Sequence, residues 1–182
     1  MTPNPASRAD PGTTPVPVSA ATVKELRELT GAGMLDCKKA LEEAGGDLAK
    51  ATEILKQKGF AAAAKKAERA TAEGLVHAYV HHDGRLGALV EINCESDFVA
   101  RTEDFRQLVQ DIALQVAGAA PRYLSPEDIP DGTEGNPKDL CLLLQPFIRD
   151  ESLTVQDLIT DTIRKTGENI RVRRFARFEL GR

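Results

Sequence analysis

Apolar positions follow two different periods, and the change of period divides the chain. Between Thr22 and Gly59 they recur every three or four residues in three short runs, the spacing of amphipathic helices. Val23, Leu26 and Leu29 line the first run. Leu35, Ala40, Leu41 and Ala44 form the inner stripe of the second, and Leu48, Ala51, Ile54 and Leu55 that of the third. Thr22 with Glu25 reads as a capping box that opens the first helix. Thr30-Gly31-Ala32-Gly33 breaks it, Gly45-Gly46 ends the second, Asp47 is placed to cap the third, and Gly59 to stop it.

From Gly74 the period falls to two. Val76, Ala78 and Val80 alternate with Leu75, His77, Tyr79 and His81. Asp83-Gly84 is a hairpin signal. Leu86, Ala88, Val90, Ile92 and Cys94 share one face of the return strand, and Gly87 would admit a close backbone or ring. A helix is predicted over Glu103 to Ala117, capped by Thr102, with Phe105, Leu108, Val109, Ile112, Ala113 and Val116 on one face, and ended by Gly118 and Pro121. Tyr123 to Asp139 is loop-like and acidic, and Leu140 to Leu144 is a short apolar run of open type. Thr154 and Asp157 mark the start of a further helix lined by Val155, Leu158, Ile159, Thr162 and Ile163, with Gly167 after it. In Ile170 to Leu180, Ile170, Val172, Ala176, Phe178 and Leu180 fall on one face, interrupted by Arg174. Arg171, Arg173, Phe175, Arg177 and Glu179 fall on the other. The pattern predicts an α+β chain: three small helices, then a small antiparallel three-stranded sheet packed with helices.

Composition refines this picture. Met1 to Val18 holds five of the ten prolines, too little apolar surface to offset its ordering entropy. Residues 1–19 are expected to be a disordered arm, 20–59 a helical domain, 60–73 an alanine-rich helical linker and 74–182 an α+β core. The net charge of −4 lacks the basic footprint of a general nucleic-acid binder. Three scattered cysteines, Cys37, Cys94 and Cys141, suggest neither a disulfide framework nor a zinc site. With no secretion signal recognised, the expected compartment is the cytoplasm. No apolar run reaches the ~18 residues of a membrane span.

Candidate chemistry concentrates at Glu95-Ser96-Asp97-Phe98-Val99-Ala100, where alternation stops between strand and helix. By periodicity alone Phe98 would turn inward, as most phenylalanines do. A large ring beside a carboxylate at such a junction also sits where rigid scaffolds present side chains to partners. His77 and His81 are expected on the opposite side of the sheet from Cys94, so no metal site is expected. Gly31-Ala32-Gly33 lacks the following residues of a phosphate loop. An RNA-binding or structural module built on the basic, aromatic final strand, where Phe175 and Arg173 or Arg177 would stack bases, is the alternative function.

Two long motifs are more specific than their periodicity. Val23-Lys24-Glu25-Leu26-Arg27-Glu28-Leu29-Thr30-Gly31-Ala32-Gly33-Met34-Leu35-Asp36-Cys37-Lys38-Lys39-Ala40-Leu41 resembles the N-terminal signature of bacterial elongation factor Ts. Gly87 to Ala100 resembles that family's second signature, and Gly167-Glu168-Asn169-Ile170 with Arg173-Arg174-Phe175 the end of its core. The resemblance implies a ubiquitin-associated-like helical domain followed by a dimerisation-type core. It implies a guanine-nucleotide exchange factor for elongation factor Tu, not an enzyme, with no cofactor or metal of its own. Ser96, Asp97, Phe98 and Val99 would displace the Mg²⁺ of that GTPase, and Leu26, Met34 and Leu35 would dock the helical domain on it. Ser96 stands where the family usually has threonine. With one core repeat and no coiled-coil insertion, the chain is similar to the short form, which works as a homodimer. The segment between Pro130 and Gln145 is shorter than the family's usual helical stretch.

Overall fold

The computed structural model describes residues 18–181. The expected N-terminal arm lies, up to residue 17, outside the described residues. These cluster into two compact units that divide between Lys58 and Gly59.

The first unit is built on α1 (Ala20–Thr30), α2 (Met34–Glu43) and the beginning of α3 (Leu48–Ala64). Val23, Leu26, Cys37, Ala40, Leu41 and Ala51 form its core. Several boundaries differ from the sequence pattern. Ser19, not Thr22, is the N-cap of α1, and its hydroxyl accepts a hydrogen bond from the Thr22 N–H at 3.1 Å. Asp47 caps α3 as expected, accepting from the Lys50 N–H at 3.0 Å. Gly59 does not stop α3, which runs on to Ala64. Leu29 and Leu35 do not join the core but lie exposed. With so few residues the core closes around one contiguous set of small side chains, and the outer members of each stripe are left over.

The second unit is a three-stranded antiparallel sheet in the order β1 (Glu73–Val80), β2 (Leu86–Cys94), β5 (Arg171–Glu179). Helices α5 (Glu103–Ala119) and α7 (Val155–Thr166) belong to the same core as its inner face, with the short α4 (Asp97–Ala100) between β2 and α5. Ala88, Val90, Ile92 and Cys94 of β2 are buried against Phe105, Val109, Ile112 and Val116 of α5 and Val155, Ile159 and Ile163 of α7. Thr102 caps α5 and Thr154 caps α7, the latter through a complete capping box with Asp157. The apolar run before Pro146 forms a single turn of 3₁₀ helix after α6 (Pro137–Leu140). A second, two-stranded sheet of β3 (Pro146–Phe147) and β4 (Asp150–Thr154) was not signalled by alternation, because its strands are too short to show a period.

Two corrections concern which way the strands face. Glu91 pairs with Arg174 and Ile92 with Val172, so Arg173 is an extra residue in a bulge. One inserted residue exchanges the faces beyond it. Phe175 therefore shares the inner face with Val172 and packs against the core, while Ala176 and Phe178 face outward. On β1, His77 pairs with Val90 and Glu73 with Cys94, which puts His77 on the same side as Cys94 and not opposite it. No group of three or more His, Cys, Asp or Glu side chains suited to a metal ion occurs among the described residues. No helix among them is long and apolar enough to cross a membrane.

Candidate functional site

The β2–α4–α5 corner carries the exposed ring. Strand β2 ends where Ser96 leaves the sheet in extended geometry and caps α4, its hydroxyl accepting from the Val99 N–H at 3.3 Å. Two residues after α4, Thr102 caps α5 and donates its own hydroxyl to the Val99 carbonyl at 2.8 Å. Two caps within seven residues leave little backbone freedom between them. Val99 and Ala100 face the core. The same turn sends Asp97 and Phe98 outward, and the Phe98 ring is 77% exposed. Periodicity would have turned it in, and burial would have gained about 1.5–3 kcal/mol. Of the four residues singled out here, Ser96 shapes the turn, Val99 anchors it from inside, and Asp97 and Phe98 are presented. Asp97 is held by the Arg101 guanidinium at 2.7 Å, with both side chains mostly in solvent. Such a pair opens at a cost of about 0–1 kcal/mol.

The outside of the corner is fixed by residues whose role periodicity missed. Glu168, directly after the left-handed cap residue Gly167 of α7, reaches across to it. Its carboxylate accepts from the Glu95 N–H at 3.1 Å, the Ser96 N–H at 3.0 Å and the Ser96 hydroxyl at 2.6 Å. Glu95 returns the contact, accepting from the Asn169 N–H at 2.6 Å and from Arg69 at 3.4 Å. The Asn169 N–H, and after it Arg69, hold the Glu95 carboxyl below the usual glutamate range. Asn169 is buried and donates its side-chain amide to the carbonyls of Ala67 and Arg69. Beneath, the Cys94 thiol donates to the Ser96 carbonyl at 3.1 Å. Burial, then the charge of Glu168, pushes that thiol up to about 11, so it stays protonated. In the sequence Glu168 shows only as a member of Gly167-Glu168-Asn169-Ile170, just past a helix C-terminus, where a carboxylate opposes the helix dipole.

In the helical unit, Leu26 is fully buried and presents no surface, which removes it from the proposed anchors. Its place in the pattern, three residues after Val23, is what puts it in the core. Met34 and Leu35 open α2 and are 48% and 72% exposed, with Leu29 also exposed on α1. The basic, aromatic face expected on the final strand is not assembled. Phe175 is turned inward, and Arg173 and Arg174 both pair with Glu91, at 3.7 and 2.6 Å. What β1, β2 and β5 expose instead is apolar. Val76, Val80, Leu89 and Phe178 all lie open on the outer face. A shallow groove of about 280 Å³ runs there between Val76, Leu89 and Ala176, edged by Glu91 and Arg174.

The family model described as Elongation factor TS matches residues 18–136. The chain is similar to elongation factor Ts of Carboxydothermus hydrogenoformans, 52% identical over 90% of this chain and 89% of the relative. It is similar to those of Moorella thermoacetica, 50% identical over 90% and 96%, and Caldanaerobacter subterraneus subsp. tengcongensis, 52% over 90% and 97%. These alignments extend over 194 positions, more than the 182 residues of this chain, so the relatives carry residues that it lacks. A family-model match over residues 18–136, with half identity overall to relatives covering 90% of the chain, makes the chain a member of the elongation factor Ts family, proteins of translation elongation.

Proposed function

We propose that this chain is a guanine-nucleotide exchange factor for elongation factor Tu. The observation that carries the reading is the Phe98 ring, 77% exposed on a turn that is capped at both ends and tied down from outside. A ring so placed has no use within its own core. As a wedge it enters the GTPase near the bound Mg²⁺ and separates the elements that hold the ion, while Asp97 exchanges its weak pairing with Arg101 for contacts on the partner. Once Mg²⁺ is displaced, GDP loses its main counter-charge and dissociates. Exchange then obeys reciprocity: whatever this chain costs GDP in affinity, GDP costs this chain. GTP reloading therefore expels the factor, and no covalent bond changes in it.

The helical unit supplies affinity, with Met34 and Leu35 as apolar anchors on the GTPase. The outer face of the sheet takes a second copy of the chain. It is an exposed apolar surface bordered by two strand edges, a liability that stacking against its own kind would cover. Neither a membrane nor nucleic acid is a direct partner in this reading, and the compartment is the cytoplasm. The test is release of a fluorescent GDP from purified elongation factor Tu. The wild-type chain should accelerate it, and Phe98→Ala should lose most of the acceleration while keeping its fold. Wild-type exchange by that variant would remove the wedge.

A further inference from the structure

We propose that Glu168 is the positioning residue of the exchange corner: its carboxylate, delivered from the end of α7, sets the direction in which Phe98 is presented. The inference rests on the exchange reading above and assigns a function to a residue outside the Ser96–Val99 turn. Three donors converge on one carboxylate, the backbone N–H groups of Glu95 and Ser96 and the Ser96 hydroxyl, at 3.1, 3.0 and 2.6 Å. All three lie within three residues of Phe98. Charge-assisted hydrogen bonds of this kind are roughly twice as strong as neutral ones and directional.

The geometry separates orientation from folding. The core beneath the corner is apolar and complete without Glu168: Val99, Ala100, Phe105 and Val109 are all buried. The inner side of the turn has its own bonds, from Thr102 to Val99 and from Cys94 to Ser96. Glu168 acts on the outer side, where the strand turns into α4. Ser96 Oγ is the hinge of this arrangement. It donates to Glu168 Oε1 and accepts from the Val99 N–H, so the carboxylate fixes the hydroxyl that caps the helix bearing the ring. When a ring must separate elements of another protein, an orientation held in advance removes an ordering cost from the exchange step. Asn169 and Glu95 close the other half of the link. Asn169 is 3% exposed and bonded to the carbonyls of Ala67 and Arg69, and its N–H donates to the Glu95 carboxylate. The corner is thereby tied at once to the α7–β5 junction and to the segment leading into β1.

The experiment measures GDP release from elongation factor Tu over a range of concentrations of the full chain. It compares wild type, Phe98→Ala, Glu168→Ala, Glu168→Asp, Glu168→Gln and the double variant Phe98→Ala/Glu168→Ala. Glu168→Ala should lower the maximal rate about ten-fold, the equivalent of one charge-assisted hydrogen bond lost. The half-saturating concentration should stay near wild type. Glu168→Asp keeps the charge but is one methylene too short, and should be slowed similarly even if the alanine variant fails to fold. Glu168→Gln retains an oxygen for both backbone N–H groups but loses the charge and the acceptor for the Ser96 hydroxyl, and should recover only part of the rate, between alanine and wild type. In the Phe98→Ala background, loss of Glu168 should have no further effect, because the residue acts through the ring. Additive losses, or a glutamine variant as slow as alanine, would overturn the positioning role. Wild-type rates for the alanine and aspartate variants beside a slow Phe98→Ala would overturn it while leaving the wedge intact. A wild-type rate for Phe98→Ala would remove the wedge and the positioning role together.

Discussion

Two regions of the second unit expose large apolar side chains, and they do so in opposite ways. At the β2–α4–α5 corner a single ring, Phe98, stands alone on a turn held by Ser96, Thr102 and Glu168. On the outer face of the sheet, Val76, Val80, Leu89 and Phe178 form a broad surface on regular strands. The corner has little area and many directional bonds. The sheet face has much area, and its polar border is Glu91 with Arg174. Area without direction suits a contact that must be stable and tolerates small shifts. Direction with little area suits a contact that must be placed accurately and then withdrawn. In the proposed function the corner is the part that does work on a partner, and the sheet face the part that holds one.

The largest expected effect separates the corner from the core immediately below it. Phe98 and Phe105 are seven residues apart, yet Phe105 is fully buried. Phe105→Ala should destabilise the chain by about 3–5 kcal/mol, measured by urea unfolding. Phe98→Ala should change stability by less than about 0.5 kcal/mol, as surface substitutions usually do. In the exchange assay the order reverses: at a temperature where both variants are folded, Phe98→Ala should be the slower by at least about ten-fold, the range of an interface hot spot. Equal destabilisation by both would mean that Phe98 contributes to the interior after all, and the contrast between corner and core would fail.

The periodic parts of the fold were legible because periodicity reports burial over several residues. The inner faces of β2, α5 and α7 match the apolar spacing, down to the caps Thr102, Thr154 and Asp157. What escaped depended on single residues. The bulge at Arg173 inserts one position into β5 and sends Phe175 inward and Phe178 outward, the reverse of the alternation read from Ile170. Gly118 reads as a helix stop, but α5 passes through it to Ala119, and Ala120 takes the left-handed cap at φ 47°. A Cβ at Gly118 would stand 2.6 Å from Ile148 Cδ1, the tip of an exposed side chain that can turn aside. The exposure of Phe98 could not be read from spacing either, because α4 is too short to have a period. The family resemblance marked the ring as functional, and the caps on either side give the physical reason it points out. Glu168 was visible only as part of a motif, since its partners are more than seventy residues away.

A smaller effect is expected on the sheet face. Phe178→Asp places a charge on the outer surface, opposite Gly87 of β2, without touching the inner core. If a second copy covers this face, the substitution should shift sedimentation from dimer toward monomer and leave the unfolding midpoint of the isolated chain nearly unchanged. A wild-type chain that sediments as a monomer at high concentration would leave the face without its proposed occupant. Either result sharpens the comparison, because the variant leaves every bond of the Phe98 corner in place.

The smallest effect is electrostatic and confined to the corner. The Glu95 carboxyl lies below the usual glutamate range in the folded chain, chiefly through the Asn169 N–H and then Arg69. A group whose folded pKa is depressed stabilises the fold above its unfolded value and loses that contribution as pH falls through the folded value. Below about pH 4.3, the ordinary glutamate value, the tie between Glu95 and Asn169 should begin to loosen. The hydrogen-exchange protection factor of the Asn169 amide, corrected for intrinsic rates, should fall over that window. In Glu95→Gln it should be lower at neutral pH and flatter across the acid range. Strand amides in the middle of β2, paired on both sides by β1 and β5, should keep their protection there. If the Asn169 amide is as insensitive to acid as those strand amides, the Glu95 carboxylate is not what holds this side of the corner, and the constraint on the ring rests on Glu168 and the two caps alone.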